Sequence, residues 1–525
     1  MSTDPRAAAF TVAVRAALGR HRVFAVALAA GMVLRAATEV GYRWALWFND
    51  SFDYVAVALR LHPDPVRPIG YPLFLRLLQP AHSLAAVTSV QHLLGLGCGV
   101  IIYALLRERF RFRGRSATLA AAPMLFDAYQ IQLEHLLLAD TLFTFMALAA
   151  IAAVCWFPVE KGPPLAWRAA LAGSLLAFAT LTRPVGIPLI AITLSYLVAR
   201  RVGWRAITAV GLTACAPVAG YVLWFHAAHG QFGLDSTDGI YLWGRTAAFA
   251  ECGVIKPPAS EAWLCPRVPP SQRSASSSQV WQATSPFHWR HGQVFSATEN
   301  ELALRFAARA IAAQPGDYTR TVFSSIGRSF RWDRTAYPTG YTARLYTFAG
   351  AWTSLPEWPE PDGRSAAQVA RAYGGARAAT VIAEPYAGVM RWYQRYIYLR
   401  GTLLGLILLV PLAGGLAQVV VRARRREGRH GASMEARGAP GGQRGAAWLC
   451  WAAAVALLVV PSMTVDFDYR YVLPVVPFAC LAAALAGRRA VAAVLRPRPG
   501  TTPGRSADAT AASIPTTQEL TRSEG

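Results

Sequence analysis

Ten apolar segments along the sequence constrain its fold more than any other feature. An apolar helix of about 20 residues crosses the roughly 30 Å hydrocarbon core of a bilayer, and each segment is near that length or somewhat shorter. Charged residues make up only 15% of the chain, whereas soluble domains carry about 25%. We therefore predict an all-α polytopic membrane protein with about ten transmembrane helices. The predicted spans are 23–48, 84–106, 116–130, 138–157, 166–182, 184–199, 206–226, 401–421, 447–463 and 471–487.

Positive charge recurs in every second connection between these spans. The net charge is +23, which in a soluble protein would suggest nucleic-acid binding. Here the arginines lie in the N-terminus, in the connections after the second, fourth, sixth and eighth spans, and in the tail. Arginine-rich loops stay on the cytoplasmic side of a membrane. We therefore predict a multi-pass protein of the plasma membrane with both termini cytoplasmic, and no nucleic-acid partner.

The first apolar segment has two interpretations. A cleaved signal peptide is the alternative to a transmembrane span, but apolar character resumes after Arg35 and favours an uncleaved helix. Arg35 then lies at mid-membrane depth, where a charged side chain is expected to face the protein interior.

The predicted topology divides the chain into five regions. Residues 228–400 are too polar to cross the bilayer, and we predict a mixed extracytoplasmic domain there. Cys252 and Cys265 lie in this oxidising compartment, so we predict a disulfide between them. The other regions are a cytoplasmic N-terminus (1–22), a transmembrane region of about seven spans (23–227) that contains the first external loop (49–83), a transmembrane region of about three spans (401–490) and a disordered cytoplasmic tail (491–525).

Acidic and basic side chains gather in the connections on the external side. Carboxylates at membrane depth cost about 2.5–3.5 kcal/mol each on insertion scales and are usually functional. A random scatter of acids would not place them all on one face. Carboxylates beside arginines favour a site for an anionic, lipid-linked substrate with a general base. The residues concerned are Asp50, Asp53, Arg67, Glu134, His135, Asp140, Arg183, Asp466, Asp468 and Arg470.

Structural roles remain open for the same residues. They are a helix cap for Asp50 or Asp53, a solvated loop position for Glu134 or Asp140, a helix-end anchor for Arg183 or Arg470, and an ion pair with Arg470 for Asp466 or Asp468.

Five short motifs carry a resemblance to a known family. They are Asp50-x-x-x-Tyr54-x-x-x-Ala58, Pro68-x-Gly70-Tyr71-Pro72-x-Phe74, Asp140-Thr141-Leu142-Phe143, Arg183-Pro184-x-Gly186 and Arg470-Tyr471-x-x-Pro474-x-x-Pro477. In these motifs and their order the chain resembles GT-C-type integral membrane glycosyltransferases. The phospholipid-carrier-dependent branch, which includes protein O-mannosyltransferases and the lipid A aminoarabinose transferase, is the most similar. The resemblance covers most of 20–230 and 400–490.

The chain departs from the family pattern at the first motif. An Asp-Glu pair is frequent there, whereas Ser51 follows Asp50 in this sequence. The spacing to Tyr54 and Ala58 nevertheless gives the catalytic position to Asp50 and not to Asp53.

The resemblance implies that the donor is a sugar linked to polyprenyl phosphate. The acceptor is expected to be a hydroxyl of a glycan, lipid or protein on the extracytoplasmic side. Direct displacement would invert the anomeric centre. Asp50 is then expected to act as general base, with Asp140 as the second catalytic residue. No cofactor is predicted, although a divalent cation shared by Asp50, Asp140 and Asp468 stays an open alternative that requires the loops to converge. The expected substrate-binding residues are Asp53, Tyr54, Arg67, Tyr71, Glu134, His135, Arg183, Asp468, Arg470 and Tyr471.

Two other functions fit parts of this pattern. A transporter or flippase of lipid-linked or anionic substrates also has many spans and intramembrane charges, but it favours midplane polar residues and an inverted repeat. The sequence places its charges at one face and has no evident repeat. A non-catalytic membrane subunit that binds a lipid-linked glycan is the other alternative.

Overall fold

The computed structural model describes residues 5–156, 166–287, 295–351, 354–360, 363–427 and 441–494. This part of the chain is predominantly helical. In its N-terminal half, apolar runs bounded by Gly, Pro, Arg or acidic residues form the following helices: α1 (Pro5–Gly41), α2 (Asn49–Arg60), α3 (Gly70–Leu78), α4 (Leu84–Ala104), α5 (Gly114–Phe126), α6 (Ala128–His135), α7 (Asp140–Cys155), α8 (Ala166–Thr182), α9 (Ile187–Ala199) and α10 (Trp204–His229).

The C-terminal half continues with shorter helices before three longer ones. They are α11 (Asp238–Ala247), α12 (Cys252–Ile255), α13 (Ser276–Trp281), α14 (Ala297–Ala313), α15 (Pro315–Arg328), α16 (Gly340–Leu345), α17 (Ala366–Gly374), α18 (Tyr386–Tyr396), α19 (Gly401–Glu427), α20 (Gly441–Thr464), α21 (Tyr469–Val472) and α22 (Val475–Val494). Strands β1 (Tyr42–Arg43) and β2 (Val381–Ile382) form a small antiparallel sheet.

Five helices among the described residues are long and apolar enough to cross a membrane, and a sixth span arises if α18 and α19, bent by 53° at their junction, count as one. Each of the ten predicted spans overlaps one or two helices, but the count of ten is not confirmed. The shorter helices explain the difference, because the 13 residues of α9 rise only about 20 Å. The five are Gly19–Gly41, Leu84–Arg109, Trp204–His229, Gly442–Thr464 and Tyr469–Gly487.

The apolar helices pack into one bundle. α8 lies against α7 and α10, α4 against α5 and α7, and α22 against α19 and α20. The helices approach one another closely where small residues lie at their contact, as is common among membrane helices. At Gly173 of α8, an added Cβ would lie 2.4 Å from the carbonyl oxygen of Val210 in α10. The first and last parts of the chain therefore share one apolar core.

The predicted span 116–130 is interrupted at Asp127. Its Oδ1 accepts the backbone N–H groups of Tyr129 and Gln130 at 2.8 and 3.1 Å, and this cap starts α6. Its Oδ2 accepts the N–H of Leu399 at 2.7 Å. A capped break replaces a continuous span because the buried carboxylate receives three backbone N–H groups.

Residues 228–400 do not form one separate domain of mixed structure in the described part of the chain. α11 to α14 share an apolar core that includes Trp243 and Phe306, and Cys252 forms a disulfide with Cys265 there. By contrast, α17 packs on α2, and α18 packs on α1. The later part of this segment therefore covers the loop at residues 49–83. Among the described residues of the segment, β2 is the only strand.

Candidate active site

The loop at residues 49–83 folds so that its charged side chains point toward one another. The N–H of Phe48 donates to Oγ of Ser51 at 2.9 Å and helps to start α2. Asp50 then lies in the first turn of this helix, where the helix dipole favours a negative charge. Beyond α2, Oδ1 of Asp64 accepts the N–H of Arg67 at 3.0 Å. That turn directs Arg67 back toward α2.

Asp50 is held between two arginines. Nη2 of Arg67 lies 2.7 Å from Oδ1, and Nη1 of Arg470 lies 2.6 Å from Oδ2. Each carboxylate oxygen thus has its own guanidinium, and the three side chains are each 11% exposed. Nε of Arg67 also contacts Oδ2 of Asp53 at 3.1 Å. The cluster is therefore largely shielded from solvent.

Arg470 is fixed by acidic and aromatic neighbours. Its Nε lies 3.4 Å from Oδ2 of Asp468, and that oxygen accepts the hydroxyl of Tyr346 at 2.8 Å. The guanidinium carbon lies 4.9 Å from the ring centre of Phe48 and 5.3 Å from that of Tyr471. Despite its proximity to Asp468, Nε of Arg470 makes no hydrogen bond within the described part of the chain and is a buried donor without an acceptor. A ligand oxygen would satisfy it.

A third arginine adjoins the same cluster. Arg183 follows the C-terminus of α8 and forms an ion pair with Asp140, the first residue of α7. Its guanidinium carbon lies 4.8 Å from the ring centre of Tyr471. Tyr471 therefore contacts both Arg183 and Arg470, and the five charged and aromatic groups from Asp50 to Asp140 form one continuous chain of contacts.

Burial and charge oppose each other at the acids of this loop. Burial raises the pKa of Asp50, but Arg470 and Arg67 outweigh it and hold this pKa below its ordinary value. At Asp53 burial prevails over Arg67, and the pKa is raised well above its ordinary value. Burial also raises the pKa of Asp64. Asp50 is therefore ionised at neutral pH, and its negative charge neutralises part of the positive charge of Arg67 and Arg470.

The structure does not bring Glu134 and His135 to this cluster, although both are predicted substrate-binding residues. Glu134 forms a buried ion pair with Arg35, with Nε–Oε2 and Nη2–Oε1 distances of 2.7 and 2.8 Å. Arg35 thus faces the protein interior as expected. Nε2 of His135 lies 2.6 Å from the carbonyl oxygen of Tyr42. Both side chains are fully buried, because the break at Asp127 turns α6 inward.

Tyr54 and Tyr71 lie behind the cluster and not at its surface. The ring of Tyr54 packs against the guanidinium of Arg67 at 5.6 Å and meets Tyr71 edge-on at 4.9 Å. The hydroxyl of Tyr71 donates to Oε1 of Gln91 at 2.7 Å. Tyr71 is fully buried and packs on Tyr54, so it supports the residue that contacts Arg67. Its predicted substrate-binding role stays a prediction.

Sequence reasoning missed two supporting residues and left the direction of a third unresolved. Asp64 had a usable signal, because an Asp before Pro often forms a turn with its own backbone. Tyr346 had none, since it lies 122 residues from Asp468 in the chain. Asp466 points away from the cluster toward Arg245 and accepts the hydroxyl of Tyr337 at 2.7 Å.

The three acids proposed for a shared cation lie beside arginines in this structure. Asp50 and Asp468 both contact Arg470, and Asp140 contacts Arg183. Positive groups between carboxylates suit an anionic ligand better than a cation at this point.

A small crevice opens beside Arg183 between α7, α20 and α21. Its apolar lining suits a hydrocarbon chain, and Arg183 lies at its polar end. The lining residues are Phe143, Arg183, Val185, Leu457, Pro461, Tyr471 and Pro474.

Comparison with known proteins gives one structural similarity. No family model matches the chain, and no curated protein matches it. The structure is similar to the crystal structure of the Archaeoglobus fulgidus oligosaccharyltransferase in the apo form, with 13% identity and a TM-score of 0.41. The match covers 92% of this chain and 53% of that one, so this chain spans about half the length of that protein.

Proposed function

We propose that this protein is a membrane glycosyltransferase that transfers a sugar from a polyprenyl-phosphate donor to an extracytoplasmic hydroxyl with inversion. The observation that carries the proposal is the position of Asp50 between Arg67 and Arg470. A carboxylate base and a cationic phosphate site then lie within one hydrogen bond of each other.

The arginines would bind the phosphate of the donor. A guanidinium binds phosphate through two parallel hydrogen bonds, and Arg is suited to that planar geometry. Nε of Arg470 is already a buried donor in need of an acceptor. Arg183 adjoins the apolar crevice, which would take the first part of the polyprenyl chain. Asp140 is then the resident counter-ion of Arg183 and not a second base.

Asp50 would change its acidity when the donor binds. Without a donor, the two arginines hold the pKa of Asp50 below its ordinary value, and so weak a base abstracts a proton poorly. A phosphate that competes for Arg67 and Arg470 would release Asp50 from them. The pKa of Asp50 would then rise, because loss of nearby positive charge favours the protonated form. The base would therefore become effective in the presence of the donor.

The transfer step follows from these roles. The acceptor oxygen attacks the anomeric carbon while Asp50 takes the hydroxyl proton. The bond between that carbon and the phosphate oxygen breaks, and polyprenyl phosphate leaves with the electron pair. Because phosphate is a stable anion, positively charged side chains next to the leaving group help its departure more than a general acid would. Attack opposite the leaving group inverts the anomeric centre.

The arginine distribution supports an external position for this site. Basic connections flank the spans on the other side, which favours cytoplasmic termini in a cell membrane. The disulfide between Cys252 and Cys265 fits the same orientation.

The test is transfer by the purified protein in lipid nanodiscs, with a panel of radiolabelled polyprenyl-phosphate sugars and a membrane extract as acceptor. We expect the label to move to an acceptor as free polyprenyl phosphate appears in equal amount. The Arg67→Ala variant should lose most of this activity, whereas Arg76→Ala, an exposed arginine on α3, should keep it. Movement of the intact lipid-linked sugar across vesicle membranes without release of polyprenyl phosphate would instead identify a transporter.

A further inference from the structure

A second group of ligand-type side chains lies outside the proposed active site. Glu39 on α1, His92 on α4 and His135 at the end of α6 bring one ligand atom each within 4.8 Å of one another. Nε2 of His92 lies 3.1 Å from Nδ1 of His135. Oε1 of Glu39 lies 3.9 and 4.0 Å from these two nitrogens.

The outer hydrogen bonds fix the tautomers of both histidines. Nε2 of His135 lies 2.6 Å from the carbonyl oxygen of Tyr42, which only accepts, so this nitrogen carries the proton. Nδ1 of His92 lies 3.0 Å from Oε2 of Glu134, and that carboxylate is ionised because it pairs with Arg35. Nδ1 of His92 is therefore a donor as well.

The two remaining imidazole nitrogens consequently face each other as lone pairs. A neutral histidine has one donor nitrogen and one acceptor nitrogen, so the 3.1 Å contact between His92 and His135 joins two acceptors. The two nitrogens must therefore share a positive group, which is either a proton on the line between them or a metal ion to one side of that line. Glu39 is the carboxylate nearest to this point whose charge is not balanced by Arg35, and its negative charge favours a cation there.

The spacing fits a tetrahedral ion. Zinc with bonds of about 2.0–2.1 Å places neighbouring ligand atoms about 3.3 Å apart. The two nitrogens lie 3.1 Å apart, close to that separation. Oε1 of Glu39 would need to approach them by only about 0.6 Å to reach a tetrahedral ligand spacing. The side chain of Glu39 is 22% exposed, whereas that of His92 is 4% exposed. An ion would therefore enter from the side of Glu39, where a water molecule would take the fourth coordination position.

The surroundings also match those of a metal site. A histidine that binds a metal usually donates its other ring N–H to a carboxylate or a backbone carbonyl. His92 has the first kind of partner in Glu134, and His135 has the second in Tyr42. Two imidazoles and one carboxylate form a ligand set that prefers Zn²⁺ or a similar transition metal over Mg²⁺ or Ca²⁺.

We propose that Glu39, His92 and His135 bind one Zn²⁺-class ion at the external end of α1. The ion would tie α1, α4 and the end of α6 together. His135 also accepts the N–H of Leu46 at 3.0 Å through its carbonyl oxygen. The metal would therefore brace the segment that leads from β1 into α2, where Asp50 begins the active site. This proposal is independent of the transferase activity.

The test measures metal binding by the full-length protein in detergent. Metal-free protein is titrated with Co²⁺, and the visible ligand-field absorption of the tetrahedral ion is recorded, with zinc content determined by mass spectrometry. We expect about one tightly bound ion per chain, because the site has three protein ligands. Glu39→Gln should weaken binding at least tenfold, since even second-shell changes at such sites cost about 10- to 100-fold. The control is His82→Gln, an exposed histidine near the same face, which should bind like wild type.

Each result decides the proposal. Absence of a tetrahedral Co²⁺ signal in the wild-type protein would overturn it and leave a shared proton between His92 and His135. Equal binding by wild type and Glu39→Gln would also overturn it. Because the titration of the wild-type protein needs no variant to fold, a misfolded Glu39→Gln protein would not leave the question open.

Discussion

Oδ2 of Asp50 lies 2.6 Å from Nη1 of Arg470, although 420 residues separate them in the chain. This ion pair joins the loop at residues 49–83 to the start of the last candidate span. Tyr471, next to Arg470, extends the connection to Arg183. The site is thus assembled from distant parts of the chain, and Arg470 and Asp50 each have a partner that is far away in sequence.

Replacement of Arg470 by lysine should impair transfer. Lysine keeps the charge but lacks the planar fork that reaches Asp50 and lies against Phe48. Hydrogen bonds to charged groups contribute about 1.5–3 kcal/mol, so we expect a loss of about tenfold or more. The measurement is the rate of polyprenyl-phosphate release, with Arg400→Lys as the control because its partner Asp333 is exposed. A wild-type rate for Arg470→Lys would show that the fork is not needed.

Gly70 should not tolerate a side chain. An added Cβ would lie 2.6 Å from backbone atoms of Leu181 and Thr182, just before Arg183, and backbone cannot move as a side chain does. We expect Gly70→Ala to lower stability by about 1–3 kcal/mol through overpacking and to reduce transfer. Thermal unfolding should separate it from Gly220→Ala, where the added Cβ meets nothing within 4 Å. Equal unfolding temperatures would contradict this account of the close contact.

Asp235 should make stability depend on pH. Burial, and then the nearby charge of Asp238, raises the pKa of Asp235 to about 7, whereas an unfolded Asp has a pKa of about 3.9. The folded protein therefore holds an extra proton between these values, and this contribution to stability falls as pH rises from about 4 to about 7 and then levels off. The Asp235→Asn variant lacks it. The unfolding temperature of Asp235→Asn minus that of wild type should be larger at pH 8 than at pH 5. The same temperature difference at both pH values would refute the raised pKa of Asp235.

The disulfide provides a test of orientation. If residues 252–265 are extracytoplasmic, Cys252 and Cys265 should resist a membrane-impermeant thiol reagent in intact cells. After treatment with an impermeant reductant, both should react. A Cys215→Ala background removes the one free cysteine that is exposed among the described residues. Labelling before reduction, or none after it, would argue against the proposed topology.

Sequence reasoning located the helices better than it located their partners. The segment predicted at 166–182 is the helix Ala166–Thr182, because a long apolar run between polar ends determines a membrane helix locally. The prediction at 116–130 was wrong about continuity. Asp127 ends one helix and caps the next through neighbouring N–H groups, and its second oxygen accepts the N–H of Leu399, which lies 272 residues away.

The candidate site was predictable to a similar extent. Charges at one face indicated that Asp50, Arg183 and Arg470 would lie near one another, and the structure places them in one chain of contacts. Glu134 could not be separated from them, because its burial depends on Arg35, 99 residues earlier in the chain. Spacing alone does not reveal which acids turn inward.

The most direct measurement compares lipid-phosphate binding and sugar transfer in the same Asp50→Asn protein. If Asp50 is both the base and the resident counter-ion, transfer should fall about 100-fold or more, as expected for loss of a general base. Polyprenyl-phosphate binding should stay equal or become tighter, because Arg67 and Arg470 lose their competing carboxylate. An Asp333→Asn protein serves as control, because this acid is exposed and pairs with Arg400 outside the cluster, and it should keep most of its activity. Transfer at the wild-type rate, or joint loss of binding and transfer, would contradict the assignment of Asp50 as the catalytic base.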